Sequence, residues 1–269
     1  MGHCQGLVAL ITGASSGIGE AVAREYARQG ADVILLARRR ARLEALAAEL
    51  EERGGRALLE VCDVTREGEV ERSVAHAVAA LGRLDYVIAN AGFGVAGSFQ
   101  SLSLDDYRRQ LETNLFGVLR TAQATVEYLI ASRGSLAIVG SVSGFVALPG
   151  SSPYSMSKAA VHALAGSLHH ELAAVGVAVT LVVPGFVDSE IRQVDNLGRH
   201  HPGAREPVPR WLRMPTERAA RLIVRAVRRR RRELVFTAHG RLAVALQRHF
   251  PGLLAVAIRR FGIGGRRQP

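Results

Sequence analysis

A tyrosine and a lysine four residues apart form the pair in this sequence best suited to proton transfer. They are Tyr154 and Lys158, in the segment Tyr154-Ser155-Met156-Ser157-Lys158. Residues at i and i+4 share one face of a helix, so the ammonium can lie beside the phenol. A nearby positive charge favours the phenolate and eases transfer of the phenolic proton. We therefore predict that Tyr154 exchanges a proton with a substrate.

Lys158 is the only lysine among 35 lysine and arginine residues. A lysine ammonium is compact and sits on a flexible stem, whereas arginine presents a broad planar fork. One retained lysine indicates a geometric requirement, although a chain biased towards arginine can also keep one by accident. A positive charge about 4 Å from a phenol, at an effective dielectric near 20, is worth about 4 kcal/mol, or about three pKa units. We expect Lys158 to lower the pKa of Tyr154 towards neutrality.

The surrounding sequence predicts the elements that position this pair. Short apolar stretches alternate with helical periodicity, which is typical of a parallel sheet covered on both faces with right-handed crossovers. A helix is predicted over 18–29, and another over 216–230 with Thr216 as its cap. The predicted fold is α/β, a Rossmann-type doubly wound parallel sheet in a single domain. Its strands are predicted at 7–11, 32–36, 57–61, 85–89, 135–139, 177–183 and 233–236.

A glycine-rich turn at 12–19 separates the first predicted strand from the first helix. Its glycines would let the backbone approach a pyrophosphate at the helix N-terminus, although a tight structural turn also explains them. The predicted cofactor contacts in this turn are Gly13, Ser15, Ser16, Gly17, Ile18 and Gly19.

The end of the second predicted strand indicates which dinucleotide binds. Ala37 stands where an acidic residue would bind the ribose 2′-hydroxyl of NAD, and Arg38 follows it. Arg38, helped by Arg39, can form charge-assisted hydrogen bonds to a 2′-phosphate. We therefore expect NADP(H) to be preferred over NAD(H). A solvated helix start explains Arg39 and Arg40 equally well.

With these features in place, the chain resembles the classical short-chain dehydrogenase/reductase family from about Leu7 to Ser189. The resemblance implies a catalytic set and further cofactor contacts. The catalytic residues it implies are Asn114, Ser141, Tyr154 and Lys158. The cofactor contacts it adds are Asp63, Val64, Asn90, Ala91, Gly92, Tyr154, Lys158, Pro184, Gly185, Val187 and Ser189.

The family mechanism implies a role for each catalytic residue. NADPH delivers hydride to a carbonyl carbon while Tyr154 protonates the oxygen, and alcohol oxidation is the reverse. Lys158 bonds the nicotinamide ribose, Ser141 orients the carbonyl oxygen and Asn114 holds a water-mediated proton path. Ser143 competes for the serine role, but Ser141, thirteen residues before Tyr154, has the family spacing. Asn114 alone could be a helix-bend residue, and Ser141 alone a turn residue.

The substrate is less clearly indicated than the reaction. Phe93, Phe145, Leu148 and Phe186 suggest an apolar pocket, or else belong to the core. The leading prediction is an NADP(H)-dependent oxidoreductase that interconverts a carbonyl and a secondary alcohol on an apolar small molecule. One alternative is a 3-oxoacyl carrier-protein reductase. A non-enzymatic alternative is a cofactor-sensing binding protein of the same fold.

Charge is distributed unevenly along the chain. Residues 199–269 hold 18 arginines and three glutamates, a net charge of +15, within a total of +11. We predict a dehydrogenase domain over 1–240, with its substrate loop at about 189–215, and a basic amphipathic C-terminal extension over 241–269. The extension lacks a nucleic-acid-binding module, so we expect contact with the protein itself or with an anionic membrane surface.

The remaining composition suggests where and how the protein works. Cys4 and Cys62 cannot form a disulfide framework, and no apolar run reaches the roughly 20 residues of a membrane span. We expect a cytoplasmic protein that can contact the membrane surface peripherally, with no metal site. The resemblance also implies that the protein forms a homodimer or homotetramer.

Overall fold

Seven strands form one parallel sheet in the computed structural model, which describes residues 3–204 and 206–261. The strand order is β3-β2-β1-β4-β5-β6-β7, and every neighbouring pair is parallel. This is the predicted Rossmann-type doubly wound fold. The strands are β1 Val8–Thr12, β2 Asp32–Ala37, β3 Ala57–Val61, β4 Tyr86–Ala89, β5 Ser135–Val139, β6 Ala178–Val183 and β7 Glu233–Val235.

Helices cover both faces of the sheet. Apolar side chains of α1, α2 and α7 pack on one face, and those of α3, α5 and α6 pack on the other. The central strands are buried along their whole length because both faces are covered. The helices are α1 Gly17–Arg28, α2 Arg40–Glu52, α3 Glu69–Leu81, α4 Leu104–Leu111, α5 Gly117–Ser132, α6 Ser152–Ala173, α7 Thr216–Arg228, α8 Ala238–His249 and α9 Pro251–Phe261.

The strand order reverses between β1 and β4, which lie side by side in the middle of the sheet. In open parallel sheets a crevice forms at this point, outside the carboxyl ends of the strands. The glycine turn follows β1, and the segment Asn90-Ala91-Gly92 follows β4. The fold therefore brings these two predicted cofactor segments together.

Two sequence predictions about element ends need adjustment. Thr216 is the first residue of α7 and does not cap it: Pro215, with an extended backbone, occupies the N-cap. The predicted extension begins inside α8, and its residues 262–269 lie outside the described residues. The division of the chain at residue 240 stays a prediction.

The described part of the chain contains neither a candidate membrane span nor a candidate metal site. None of its helices is both long and apolar enough to cross a membrane. Nor do its histidines, cysteines and acidic residues gather into a group that could hold a metal ion.

Candidate active site

Helix α6 carries Tyr154 and Lys158 on one face, as their spacing predicts. The ammonium Nζ of Lys158 lies 5.7 Å from the centroid of the Tyr154 ring. Lys158 is 4% exposed, and its Nζ donates to the backbone carbonyl of Val139 at 2.8 Å. The charge therefore lies close to the phenol ring while it bonds the end of β5.

Burial sets the pKa values of both residues. It lowers the pKa of Lys158 to about 8, because a cation loses its hydration inside the protein. It raises the pKa of the Tyr154 phenol, and this outweighs the opposing effects of the hydrogen bond with Ser141 and the charge of Arg192. The expectation that the pKa of Tyr154 is lowered towards neutrality is therefore wrong. The reason is that loss of solvation dominates.

Ser141 lies at the carboxyl end of β5, beside Tyr154. It begins a short 3-10 turn over Val142–Gly144, and its Oγ accepts from the backbone N–H of Ser143 at 3.1 Å. The Ser141 side chain also lies close enough to the Tyr154 phenol to lower its pKa, against the larger effect of burial. Of the two candidate serines, the structure brings Ser141 to the tyrosine hydroxyl.

Asn114 is fully buried in a π-helical turn, Glu112–Phe116, between α4 and α5. Its Oδ1 accepts from Phe93 N at 3.1 Å, and its Nδ2 donates to Phe93 O at 3.0 Å and to Ser157 Oγ at 3.2 Å. The Ser157 hydroxyl donates in turn to the Tyr154 carbonyl at 2.7 Å. Asn114 thus joins the segment after β4 to the first turns of α6. π-Helical turns are frequent at functional sites.

The glycine turn after β1 packs tightly against the segment after β4. Gly13 and Gly17 have positive φ angles of 68° and 56°, which glycine adopts at little cost. A Cβ atom at Gly19 would overlap the Gly13 carbonyl oxygen and lie 2.6 Å from Asn90 Nδ2. These glycines therefore fix the path of the turn as well as its approach to a ligand.

Thr12 is a structural residue of this turn that was not among the predicted contacts. Its Oγ1 accepts from the backbone N–H groups of Asn90 and Ala91, at 3.0 and 3.1 Å. Asn90 Nδ2 returns a hydrogen bond to the Thr12 carbonyl at 3.0 Å. A threonine ending an otherwise apolar buried strand was the signal available in the sequence.

The start of α1 fits an anionic group. Ser16 is its N-cap, and that hydroxyl bonds no N–H group of the first turn within the described residues. Ser15, Ser16 and Ile18 lie in or beside the first turn, where backbone N–H groups and the helix dipole attract negative charge. This geometry suits the pyrophosphate of a dinucleotide.

Arg38 is exposed at the carboxyl end of β2 and lines a cavity of about 650 Å³. Asp63 lines the same cavity, and its Oδ1 accepts from Thr65 N at 3.0 Å. Val64 is buried behind it, with its carbonyl bonded to Arg120. Besides Arg38 and Asp63, acidic, basic and uncharged residues line the cavity: Glu60, Val61, Arg66, Glu69, Arg72, Ser73 and His76.

Arg39 is already engaged by the protein. Its guanidinium donates to Ser15 Oγ at 3.1 Å and to Glu190 Oε2 at 2.8 Å, and Arg42 also pairs with Glu190, at 3.3 Å. Glu190 was not among the predicted residues. It links the loop after β6 to the start of α2, so Arg38 is the arginine of the pair exposed to the cavity.

The loop after β6 brings the remaining predicted contacts to the same crevice. A Cβ atom at Gly17 would lie 3.1 Å from Ser189 Cβ, so Ser189 faces the glycine turn. The Pro184 carbonyl accepts from Val142 N at 3.0 Å, and Val187 is 3% exposed. Gly185 meets the start of α8, where a Cβ atom would overlap side chains of that helix.

The four predicted pocket residues differ in how far their side chains are packed inside the protein or exposed. Phe93 is 7% exposed, and Phe145 packs at a tilt against His162, with ring centroids 4.6 Å apart. Phe186 is 36% exposed and stacks on His239 at 5.1 Å. Leu148 is partly buried. The core interpretation therefore applies to Phe93 and Phe145, and Phe186 keeps an exposed edge.

Comparison with known proteins identifies the family. The sequence model described as short chain dehydrogenase matches residues 7–199. The chain belongs to the short-chain dehydrogenase/reductase family. The match contains all four residues of the predicted catalytic set, and the family is one of oxidoreductases.

Relatives of this short-chain dehydrogenase include the oxidoreductase UcpA of Salmonella typhimurium, 40% identical over 189 residues, or 70% of this chain and 72% of the relative. A short-chain dehydrogenase/reductase from Burkholderia phymatum in complex with NAD has the same fold, with a TM-score of 0.83, 24% identity and coverage of 94% and 97% of the two chains. An alcohol dehydrogenase from Thermococcus sibiricus complexed with 5-hydroxy-NADP has a TM-score of 0.74 and 31% identity, covering 85% of this chain and 94% of its own.

Proposed function

We propose that this protein is an NADP(H)-dependent oxidoreductase that interconverts a carbonyl and a secondary alcohol on an apolar small molecule. The observation that carries the proposal is the placement of Ser141, Tyr154 and Lys158 around one point at the carboxyl edge of the sheet. The anion-binding turn of α1 opens at the same edge.

Tyr154 acts as the proton donor in the reductive direction. Its raised pKa keeps the phenol protonated at neutral pH, the form needed to protonate a developing alkoxide. The Ser141 hydroxyl, which lies near the phenol, orients the carbonyl oxygen between the two groups. When bound, the nicotinamide cofactor supplies or accepts the hydride.

Lys158 places a positive charge beside this proton transfer. Below its pKa of about 8 the ammonium stabilises negative charge that develops on the phenol oxygen. In the proposed complex it also bonds the nicotinamide ribose. Asn114 holds the Phe93 and Ser157 segments in place, and its water-mediated role in proton supply is part of the proposal.

Arg38 supports the preference for NADP(H). It is exposed at the end of β2 and lines the cavity next to Asp63. A guanidinium there can bond a 2′-phosphate in two places, whereas Ala37 offers nothing to a free 2′-hydroxyl. The structural relatives with bound cofactors include two NAD complexes and one complex with an NADP derivative, so Arg38 carries this part of the proposal.

The loop over 189–215 supports an apolar substrate enclosed near Tyr154. Arg192 of this loop lies close enough for its charge to act on the phenol, and it is held by Glu206 at 2.7 Å. Trp211 is 82% exposed and Leu197 is 53% exposed on the same loop. These exposed side chains can cover an apolar molecule when the loop closes on it.

The protein is further proposed to be a homodimer or homotetramer of the cytoplasm. Its two cysteines are free and buried, which fits a reducing compartment. The C-terminal helices favour packing on the protein over membrane contact, since Gly240 and Val244 of α8 are buried. α9 keeps Leu253 and Val256 exposed, and a peripheral membrane contact would use that helix.

A substrate panel tests the proposal. Purified protein is incubated with NADPH and with ketones of rising size, a 3-oxoacyl thioester on free pantetheine, and the same thioester on carrier protein, and NADPH consumption is followed. We expect turnover of apolar ketones and slower turnover with NADH. Preference for the carrier-bound thioester would establish the 3-oxoacyl carrier-protein reductase instead. Tight NADPH binding without turnover of any compound would favour a cofactor sensor.

A further inference from the structure

His162 lies on the same face of α6 as Tyr154 and Lys158. It follows them by eight and four residues, so the three side chains are stacked along the helix. A Cβ atom at either Gly140 or Gly144 would overlap the His162 ring. The imidazole therefore fills the space between the two glycines that flank Ser141, and no larger residue fits at either place without a shift.

His162 also bonds the backbone of Ser141. The Ser141 N–H donates to His162 Nε2 at 3.3 Å. Because an amide N–H can only donate, Nε2 carries no proton and the neutral ring is protonated on Nδ1. Nδ1 is buried and finds no partner within the described residues. Burial, together with the charges of Lys158 and Arg248, lowers the pKa of His162 to about 4, so Nε2 remains an acceptor at neutral pH.

Helix α8 supports the other side of the imidazole ring through Phe145. His162 packs at a tilt against Phe145, and the Arg248 guanidinium of α8 lies 4.9 Å from the Phe145 centroid. Arg248 is held in turn by Glu233 of β7 at 2.6 Å. The histidine is thus enclosed by the turn that bears Ser141, by Phe145 and, through Phe145, by α8.

We propose that His162 is a positioning residue: its Nε2 fixes the backbone of Ser141 so that the serine hydroxyl meets the substrate oxygen next to Tyr154. The role of Ser141 in this inference rests on the proposed function. Small displacements of reacting groups cost large factors in rate, about 10²-fold for a shift of about 1 Å. A buried N–H left unpaired on Nδ1 is a cost to folding that a purely structural residue would avoid.

Two substitutions and a matched control test this role. His162→Leu removes the acceptor but keeps apolar volume, and His162→Gln restores an acceptor near the position of Nε2. His169→Leu is the control, because His169 lies on the same helix and also bonds one backbone group, Val179 O at 3.3 Å. Melting temperature and the dissociation constant for NADPH are measured for each variant, followed by kcat and KM on the best ketone of the panel.

We expect kcat to fall about 10- to 100-fold in His162→Leu, with NADPH binding unchanged and most of the loss recovered in His162→Gln. The control should keep its kcat within about twofold at a comparable loss of melting temperature. Equal kcat in His162→Leu and His169→Leu would overturn the proposal. So would a glutamine variant as slow as the leucine variant, since packing alone would then explain the effect.

A wild-type protein that reduces no ketone would contradict the proposed function, and the inference about His162 is then decided by nuclear magnetic resonance. The imidazole ¹⁵N shifts should show the Nδ1-protonated tautomer at pH 7. The Ser141 amide resonance should move in His162→Leu and not in His169→Leu. The opposite tautomer, or an unmoved Ser141 amide, would refute the hydrogen bond on which the inference depends.

Discussion

At the scale of single residues, burial controls the chemistry of the site more strongly than pairwise charge does. Lys158 and Tyr154 share a helix face, yet each pKa moves away from the direction that favours its charged form. Lys158 is 4% exposed, and its ammonium bonds a backbone carbonyl and lies 5.7 Å from the centroid of the phenol ring. At neutral pH the protonated phenol and the charged lysine can coexist, which suits reduction.

The lowered pKa of Lys158 predicts a pH-dependent stability. The unfolded value is about 10.4, so between pH about 8 and about 10.4 the unfolded chain binds more protons at this residue than the folded protein. Stability from this group therefore rises with pH through that window, and below it the full cost of burying the charge remains. The free energy of unfolding of the wild type, relative to Lys158→Met, should rise by about 2 kcal/mol from pH 7.5 to pH 9.5. Parallel pH curves for the two proteins in urea titrations would contradict this.

Arg38 predicts the cofactor preference. Arg38→Ala should weaken NADPH binding about 10- to 100-fold and leave NADH binding unchanged, because a charge-assisted phosphate contact is worth about 1.5–3 kcal/mol. Arg40→Ala is the control, since Arg40 is exposed and pairs loosely with Glu44 at 3.7 Å. Calorimetric titration gives the dissociation constants. Equal dissociation constants for the two cofactors in the wild type, or unchanged NADPH binding in Arg38→Ala, would contradict the proposal that Arg38 binds the 2′-phosphate.

At the scale of elements, α8 packs against the loops that carry the candidate site. His239 Nε2 accepts from Phe186 N at 2.9 Å, and Thr237 caps the helix by accepting from Gly240 N at 3.2 Å. Gly240 packs close to Gly185 and Val142, which belong to the two loops around the catalytic set. The extension predicted from its charge and amphipathic pattern therefore has two parts, a docked α8 and an α9 with exposed apolar residues.

Truncation separates these two parts. A chain ending at Thr237 loses α8 and α9, and it should lose about 2–4 kcal/mol of stability together with substrate affinity, because buried Val244 and the contacts of His239 disappear. A chain ending at Phe250 loses α9 and should keep both properties. If α9 contacts membranes, binding to anionic vesicles falls in both truncated chains. A chain ending at Thr237 that matches the wild type in stability, subunit association, substrate affinity and vesicle binding would rule out every role proposed for the extension.

At the scale of the whole molecule, the sequence predicts what local patterns encode. Strands β3 and β5 have the predicted bounds. Each is a short, mainly apolar run of sequence, and the residues on either side interrupt the strand pattern. The placement of Tyr154 and Lys158 follows from helical spacing alone. The glycine turn is likewise predictable, because its positive φ angles are ones that glycine adopts at little cost.

Features that depend on long-range contacts were not predictable in the same way. The rise in the pKa of Tyr154 comes from burial, and the charge that opposes it belongs to Arg192, on a loop 38 residues further along the chain. The bond between His162 and Ser141 joins a helix to a strand end 21 residues earlier. The engagement of Arg39 by Glu190 spans 151 residues. None of these pairings has a local sequence signal.

The central claim is that Tyr154 supplies the proton in an NADPH-dependent carbonyl reduction, and the single-turnover rate of hydride transfer tests it most directly. NADPH oxidation is followed by stopped flow for the wild type, for Tyr154→Phe and for the control Tyr107→Phe, which loses a hydroxyl that bonds Ser152. We predict a rate about 10²- to 10⁴-fold lower for Tyr154→Phe, with NADPH affinity and melting temperature unchanged, and a near-normal rate for Tyr107→Phe. A Tyr154→Phe protein that transfers hydride at the wild-type rate would contradict the claim.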